Sequence, residues 1–187
     1  MMALVVAALG VSACSAERLA GPSMEAAQSD LTSSTTGTLS STLTQVTGLL
    51  WTTKATESST SKIIGSAGGT ITAAGGLTLT VPRGAVSSNT TFKVTRLAGT
   101  IVAYDFEPHG TTFAQPLQIS QSTAGTNFKS YPSSALVRGG YFANNSLLDQ
   151  VLGTALIGEF RATTVAKDRS SVKFTVDHFS GYMVSMD

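Results

Sequence analysis

Short runs in which apolar and polar residues alternate, separated by Gly, Pro, Asn or Ser, follow one another from Lys62 onward. In LTLTV (77–81) every second residue is apolar, and VKFTVD (172–177) repeats the pattern. A period of two is the spacing of side chains on one face of a β-strand, and no long stretch has the 3.6-residue period of a helix. Regularly spaced short strands are typical of sandwiches. The sequence therefore predicts an all-β fold, an antiparallel β-sandwich over residues 61–187.

The preceding segment, residues 15–60, has a different composition. Ser, Thr, Ala and Gly dominate it, as in DLTSSTTGTLSSTLT (30–44), and few apolar side chains are present to form a core. Such a composition predicts a flexible tether. Trp51, the only tryptophan, is the exception. We expect it to dock in an apolar groove of the domain, with contact to lipid as the alternative.

Charge and cysteine content narrow the classes of function. Charged residues make up 12% of the chain, the formal net charge is +1, and the basic residues are scattered rather than clustered. Because phosphate backbones are bound by dense Lys and Arg, nucleic acid is not an expected partner. The single cysteine, Cys14, excludes an intrachain disulfide and a cysteine-based zinc cluster. No cofactor and no metal ion is expected.

The first residues have the features of an export signal. MMALVVAALGV (1–11) is apolar but too short to cross a bilayer, and it runs into VSAC (11–14). This tetrapeptide resembles the lipobox of bacterial lipoproteins. The resemblance implies that residues 1–14 are a lipoprotein signal, that Cys14 is acylated, and that acyl chains anchor the protein to a membrane.

Two further details bear on this signal. Ser15, rather than an aspartate, follows the cysteine, which by the same resemblance favours the outer membrane. No Lys or Arg precedes the apolar run, which is a departure from the lipoprotein pattern. The alternative is an ordinary secretory signal cut near Ala16.

Three segments together resemble the ZU-5 domain, a β-sandwich of ankyrins, netrin receptors, zonula occludens proteins and bacterial surface proteins. They are LTLTVPRGAV (77–86), EPHGTTFAQPLQI (107–119) and VDHFSGYMV (176–184). The second keeps the family's spacing of proline, turn, aromatic residue and proline, and the third matches its closing strand. The resemblance extends over residues 62–187 and implies a sandwich fold.

Some ZU-5 members cut their own chain between the Phe and Ser of an HFS triplet, which residues 178–180 match. By this resemblance Ser180 Oγ would attack the carbonyl of Phe179, while His178 polarises the bond or takes the hydroxyl proton. The peptide would need strain, because an ordinary trans amide is stable. Strand alternation places His178 on the face of Val176, so Phe179 would point to water unless the backbone bulges there.

The alternative role of this triplet is structural. His178 and Phe179 would then extend and cover the core, and Ser180 would turn the chain into the last strand. The ankyrins are among the family members that have the fold without cutting themselves.

Three other residues carry candidate chemistry. Asp105 and Glu107 lie two apart, on one face of a predicted strand, which is compatible with a calcium site or a glycosidase pair. Solvent-facing strand charges need no such role, and this is the preferred interpretation. His109 lies in a predicted turn with no cluster of metal-ligand spacing beside it.

These features predict a non-enzymatic lipoprotein of the bacterial cell envelope that displays a β-sandwich module to a protein or glycan ligand. The first alternative is a domain that cleaves itself between Phe179 and Ser180, with His178 and Ser180 as the catalytic residues. The second is one module of a larger envelope protein.

Overall fold

The computed structural model describes residues 42–186, and within them every regular element is a β-strand apart from two short 3-10 turns. The predicted all-β fold with antiparallel sheets packed against each other is therefore confirmed. The strands are β1 (Thr44–Gly48), β2 (Leu50–Ala55), β3 (Ser58–Ile64), β4 (Gly69–Ala73), β5 (Leu77–Val81), β6 (Thr90–Arg96), β7 (Gly99–Ile101), β8 (Ala103–Glu107), β9 (Thr112–Ser122), β10 (Val137–Phe142), β11 (Leu148–Asp149), β12 (Thr154–Ile157), β13 (Glu159–Ala162), β14 (Thr164–Val165), β15 (Ser171–His178) and β16 (Gly181–Met186).

Two main sheets form the sandwich. The large sheet has nine strands. Seven of them follow the order β11-β12-β1-β16-β8-β6-β3. Strand β10 pairs with the edge of β16 that faces away from β1 and β8, and β13 pairs with β10. The small sheet has five strands in the order β14-β15-β9-β5-β4, and β2 pairs with β7 in a separate ribbon. The main core, defined here as the apolar cluster between the two sheets, includes Leu79, Ile119, Val176, Phe92, Phe106 and Tyr182.

The small sheet follows the predicted alternation. Leu77, Leu79 and Val81 of β5 are all buried in the main core. On β15 the apolar residues at 172, 174 and 176 are buried, while the polar residues at 173, 175 and 177 are exposed. One face of this sheet is thus covered by the large sheet and the other faces solvent, as the period of two requires.

Strand β16 is different, because all six of its residues are buried. Tyr182 and Val184 point into the main core, whereas Met183 points to the opposite face of the sheet. There it joins a second core, defined as the cluster of Val46, Leu97, Ile101, Ala103, Phe142, Ala155, Ile157 and Met183. A strand covered on both faces needs a near-continuous apolar sequence, and GYMVSM provides one.

The strands begin before the predicted domain boundary at residue 61, so the tether prediction is corrected for residues 44–60. These residues form β1, β2 and the start of β3. Val46 is buried in the second core and Leu49 in the main core, because distant strands supply the apolar surfaces that cover them. The predicted docking of Trp51 is confirmed, since its ring lies beside Gly75 and packs on the main core.

The rest of the predicted N-terminal organisation lies outside the described residues. This applies to the signal at residues 1–14, to Cys14 and to the part of the tether before residue 42. Across residues 42–186 the fold contains no helix long and apolar enough to span a bilayer.

Replacing Leu49 by Ala tests whether residues 44–60 belong to the folded domain. The Leu49 side chain is 0% exposed, and its backbone bonds both to Val184 and to Val102. The change should lower the free energy of unfolding by about 2–5 kcal/mol, measured by denaturant titration. Leu136→Ala, at a leucine that is 54% exposed, is the control and should stay within about 0.5 kcal/mol of wild type. An equally small effect of Leu49→Ala would indicate that this segment belongs to the tether and not to the folded domain.

Candidate self-processing site

The triplet His178-Phe179-Ser180 lies where β15 ends and the chain turns into β16. The pairing of β15 with β9 is interrupted there, because Val176 lies opposite Leu117 but His178 lies opposite Thr112. The extra residues of β9 include Pro116, which has no N–H for the ladder. The strand pairing is thus irregular next to His178, and the extra residues lie on β9.

The interruption turns the side chain of Phe179 into the main core. Its ring is nearly fully buried, with centroids 4.7 Å from Phe113, 5.4 Å from Phe106 and 5.7 Å from Phe92. Three aromatic neighbours at these distances add favourable ring interactions to the burial of a large apolar side chain. Phe179 is therefore a central residue of the main core.

Both backbone polar groups of Phe179 are held by the turn that follows β8. Its N–H donates to Thr111 O at 3.1 Å, and its carbonyl oxygen accepts from the N–H of Gly110 at 3.2 Å. Gly110 has a φ of +70°, a conformation that L side chains rarely adopt, so glycine is required to present this N–H. The carbonyl at the predicted scissile bond thus has one fixed hydrogen-bond donor.

The Ser180 hydroxyl is buried and engaged by backbone. Its Oγ lies 3.3 Å from Phe142 O and 3.2 Å from Ala143 O, so its single proton is directed at these two carbonyls. The carbonyl of Ser180 accepts from the N–H of Phe106 at 3.0 Å. The next residue, Gly181, lies under the ring of Phe142, which would clash with any larger side chain at this position. Ser180 therefore connects the turn to β10 and β8.

The His178 side chain is 23% exposed, and its Nε2 lies 3.0 Å from Arg161 Nη2 and 3.3 Å from Glu159 Oε1. Nε2 can accept from Arg161 in the neutral tautomer with its proton on Nδ1, and it can donate to Glu159 when it carries a proton itself. The imidazole packs edge-on against Tyr141, with centroids 4.9 Å apart. The hydrogen bonds that its ring forms with other described residues go to Arg161, Glu159 and Tyr182, and Ser180 is not among them.

Arg161 is the centre of this polar cluster. Its Nη2 donates to Glu159 and to Asp177, both at 2.7 Å. Burial alone would raise the pKa of Asp177, but the hydrogen bond and the charge of Arg161 lower it overall. Burial raises the pKa of Tyr182, whose hydroxyl donates to His178 O at 2.9 Å. The polar contacts of Arg161 and the aromatic contacts of Phe179 together hold the end of β15 in place.

The remaining candidate residues form two separate pairs. Both carboxylate oxygens of Asp105 lie 3.0 Å from His109 Nε2, and Glu107 accepts from Lys93 Nζ at 2.8 Å. The hydrogen bond from Lys93 lowers the pKa of Glu107. Each carboxylate thus has its own basic partner, and no group of three or more metal-binding side chains occurs within residues 42–186.

Several residues around the triplet could not be identified from the sequence. Gly110, Thr111 and Arg161 lie between 17 and 68 positions before His178, and nothing in the sequence indicates that they lie beside it in space. Only the register break in β9 and the pairing of β10 with β13 bring them to this place. A sequence signal exists for Gly110 alone, because it lies within a turn of the predicted type.

No protein-family model matches this chain, and no curated protein matches it either. The ZU-5 resemblance therefore stays a prediction based on the three segments.

Proposed function

We propose that this chain is a non-enzymatic, membrane-anchored β-sandwich module that binds a protein or glycan ligand at the bacterial cell envelope. The observation that carries the non-enzymatic part is the hydroxyl of Ser180, which donates to the carbonyls of Phe142 and Ala143. A nucleophilic hydroxyl needs a base within hydrogen-bond reach. Here the nearest imidazole, His178, bonds to Arg161 and Glu159 instead.

The anchoring part of the proposal rests on the sequence. The apolar run at 1–11 and the tetrapeptide ending at Cys14 support a lipid anchor, and Ser15 supports the outer membrane. A spacer between this cysteine and β1 would link the sandwich to the bilayer. Nucleic acid is not a proposed partner, because the charge is nearly balanced and the basic residues are dispersed.

Self-cleavage at the bond between Phe179 and Ser180 is the second candidate, and one observation favours it. The N–H of Gly110 already donates to Phe179 O, the atom that would carry negative charge in a tetrahedral intermediate. Ser180 Oγ would add to the Phe179 carbonyl, the C–N bond would break, and the hydroxyl proton would pass to the released amine. Water would then hydrolyse the ester. This route requires the Ser180 hydroxyl to leave its two carbonyl acceptors.

Membrane fractionation tests the anchor. With the chain expressed in a bacterial host, the wild type should be found in the membrane fraction, whereas Cys14→Ala should be found in the soluble fraction because acylation is lost. Blotting both fractions for both variants gives the result. Soluble wild-type protein would contradict the lipid anchor.

Intact mass under denaturing conditions distinguishes the binding module from the self-cleaving domain. The proposal predicts one uncut species for the wild type and one for Ser180→Ala, at masses that differ by a single oxygen. Loss of residues 180–187 from the wild type alone would identify Ser180 as a nucleophile. That result would overturn the non-enzymatic proposal in favour of self-cleavage.

A further inference from the structure

The loop between β11 and β12 presents two aliphatic side chains to solvent. Val151 is 94% exposed and Leu152 is 69% exposed, the highest values among the large exposed apolar residues of the described chain. Adjacent, fully projecting aliphatic residues at the tip of a loop mark a surface for apolar contact.

Three backbone N–H groups of this loop are bonded to Asp149 within the loop. Asp149 Oδ1 accepts from the N–H groups of Val151 and Leu152, both at 2.9 Å, and the N–H of Gly153 donates to Asp149 O at 2.9 Å. All three N–H groups at the tip are therefore partnered within the loop. Transfer of an unpartnered N–H to an apolar medium costs several kcal/mol, and this loop avoids that cost.

The loop is also fixed to the sandwich. The Gln150 side-chain oxygen accepts from the N–H groups of Thr100 and Ile101, at 2.8 and 2.9 Å. The N–H of Gly48 donates to Gly153 O at 2.8 Å. The two aliphatic side chains are thus presented in a preformed arrangement, so little conformational entropy is lost when they are buried by another phase.

A further exposed aliphatic side chain, Leu156, follows the loop on β12. A cleft of about 480 Å³ lies beside the loop, and Leu152 and Leu156 line it. Asp149 is the one charged residue in its wall, and its carboxylate is used by the loop backbone. Leu43, immediately before β1, is 43% exposed and lies beside Gly158.

We propose that Val151 and Leu152 insert into the apolar boundary of the lipid bilayer that anchors the chain, an inference that rests on the proposed lipoprotein function. The 28 residues between Cys14 and Leu43 span up to about 100 Å when extended, so the anchor and the loop can contact the same bilayer. A projecting tip with partnered N–H groups suits a hydrocarbon phase. The cleft wall contains no Lys or Arg, so the contact depends on apolar burial and not on lipid charge.

An environment-sensitive fluorophore at the loop tests this insertion. Cys14→Ala removes the only cysteine of the full chain, and Val151→Cys then gives a single labelling site. Ile63→Cys is the matched control, because Ile63 is 65% exposed and lies on β3, at the opposite end of the large sheet. The labelled proteins are mixed with phosphatidylcholine vesicles, with and without spin-labelled acyl chains.

The label at position 151 should shift to the blue and be quenched by the spin-labelled chains, whereas the label at 63 should not respond. The response should be unchanged by high salt or by added phosphatidylglycerol. Adding Leu152→Ser should weaken the apparent vesicle affinity about tenfold, the effect of losing one buried leucine.

Three results would overturn the proposal: no response at 151, an equal response at 63, or a response abolished by salt. A blue shift without vesicles that grows with protein concentration would also overturn it, because the occupant would then be a second copy of the chain. Since the labelled proteins lack Cys14, failure here leaves the fractionation result for the lipid anchor unaffected. Conversely, soluble wild-type protein in the fractionation would contradict the lipid anchor even if the loop binds vesicles.

Discussion

Burial of β16 on both faces is the constraint on which the rest of this fold depends. Tyr182 and Val184 complete the main core, while Met183, between them, completes the second core. One edge of the strand pairs with β10, and the other pairs with β8 and then with β1. Because both faces and both edges are occupied, displacing β16 would open both cores and interrupt the large sheet.

The residues before β16 keep it in this position. Phe179 lies among three aromatic rings, Ser180 bonds to two carbonyls at the end of β10, and Gly181 allows Phe142 to cover the strand. These contacts give Phe179, Ser180 and Gly181 of the sequence DHFSGY structural roles. They also show what self-cleavage would require, because the Ser180 hydroxyl would have to exchange structural acceptors for a base.

The sequence was informative wherever burial follows from local periodicity. The alternation in β5 and β15 predicted the small sheet and its buried face, because each strand has one covered side. Residues 44–60 were not predictable in this way. Their Ser and Thr content is that of a tether, and Val46 and Leu49 are buried only because strands more than 40 positions away cover them.

The candidate site shows the same limit. Period two places His178 on the core face, but the strand pairing beside it depends on β9, where Pro116 and the neighbouring residues interrupt the ladder. The ion pair of Arg161 with Asp177 depends on β13, which pairs with β10, reaching the end of β15. The loop with Val151 and Leu152 carries no motif, and its importance becomes visible only from the hydrogen bonds that hold it.

Amide hydrogen exchange tests the central position of β16 most directly. The N–H groups of residues 182–186 should be among the slowest to exchange in the domain, with protection close to that of global unfolding, because they open only when both cores open. The edge strand β3 should exchange faster. Exchange in β16 as rapid as in β3 would contradict the account, since the strand would then be detachable while the sandwich stays folded.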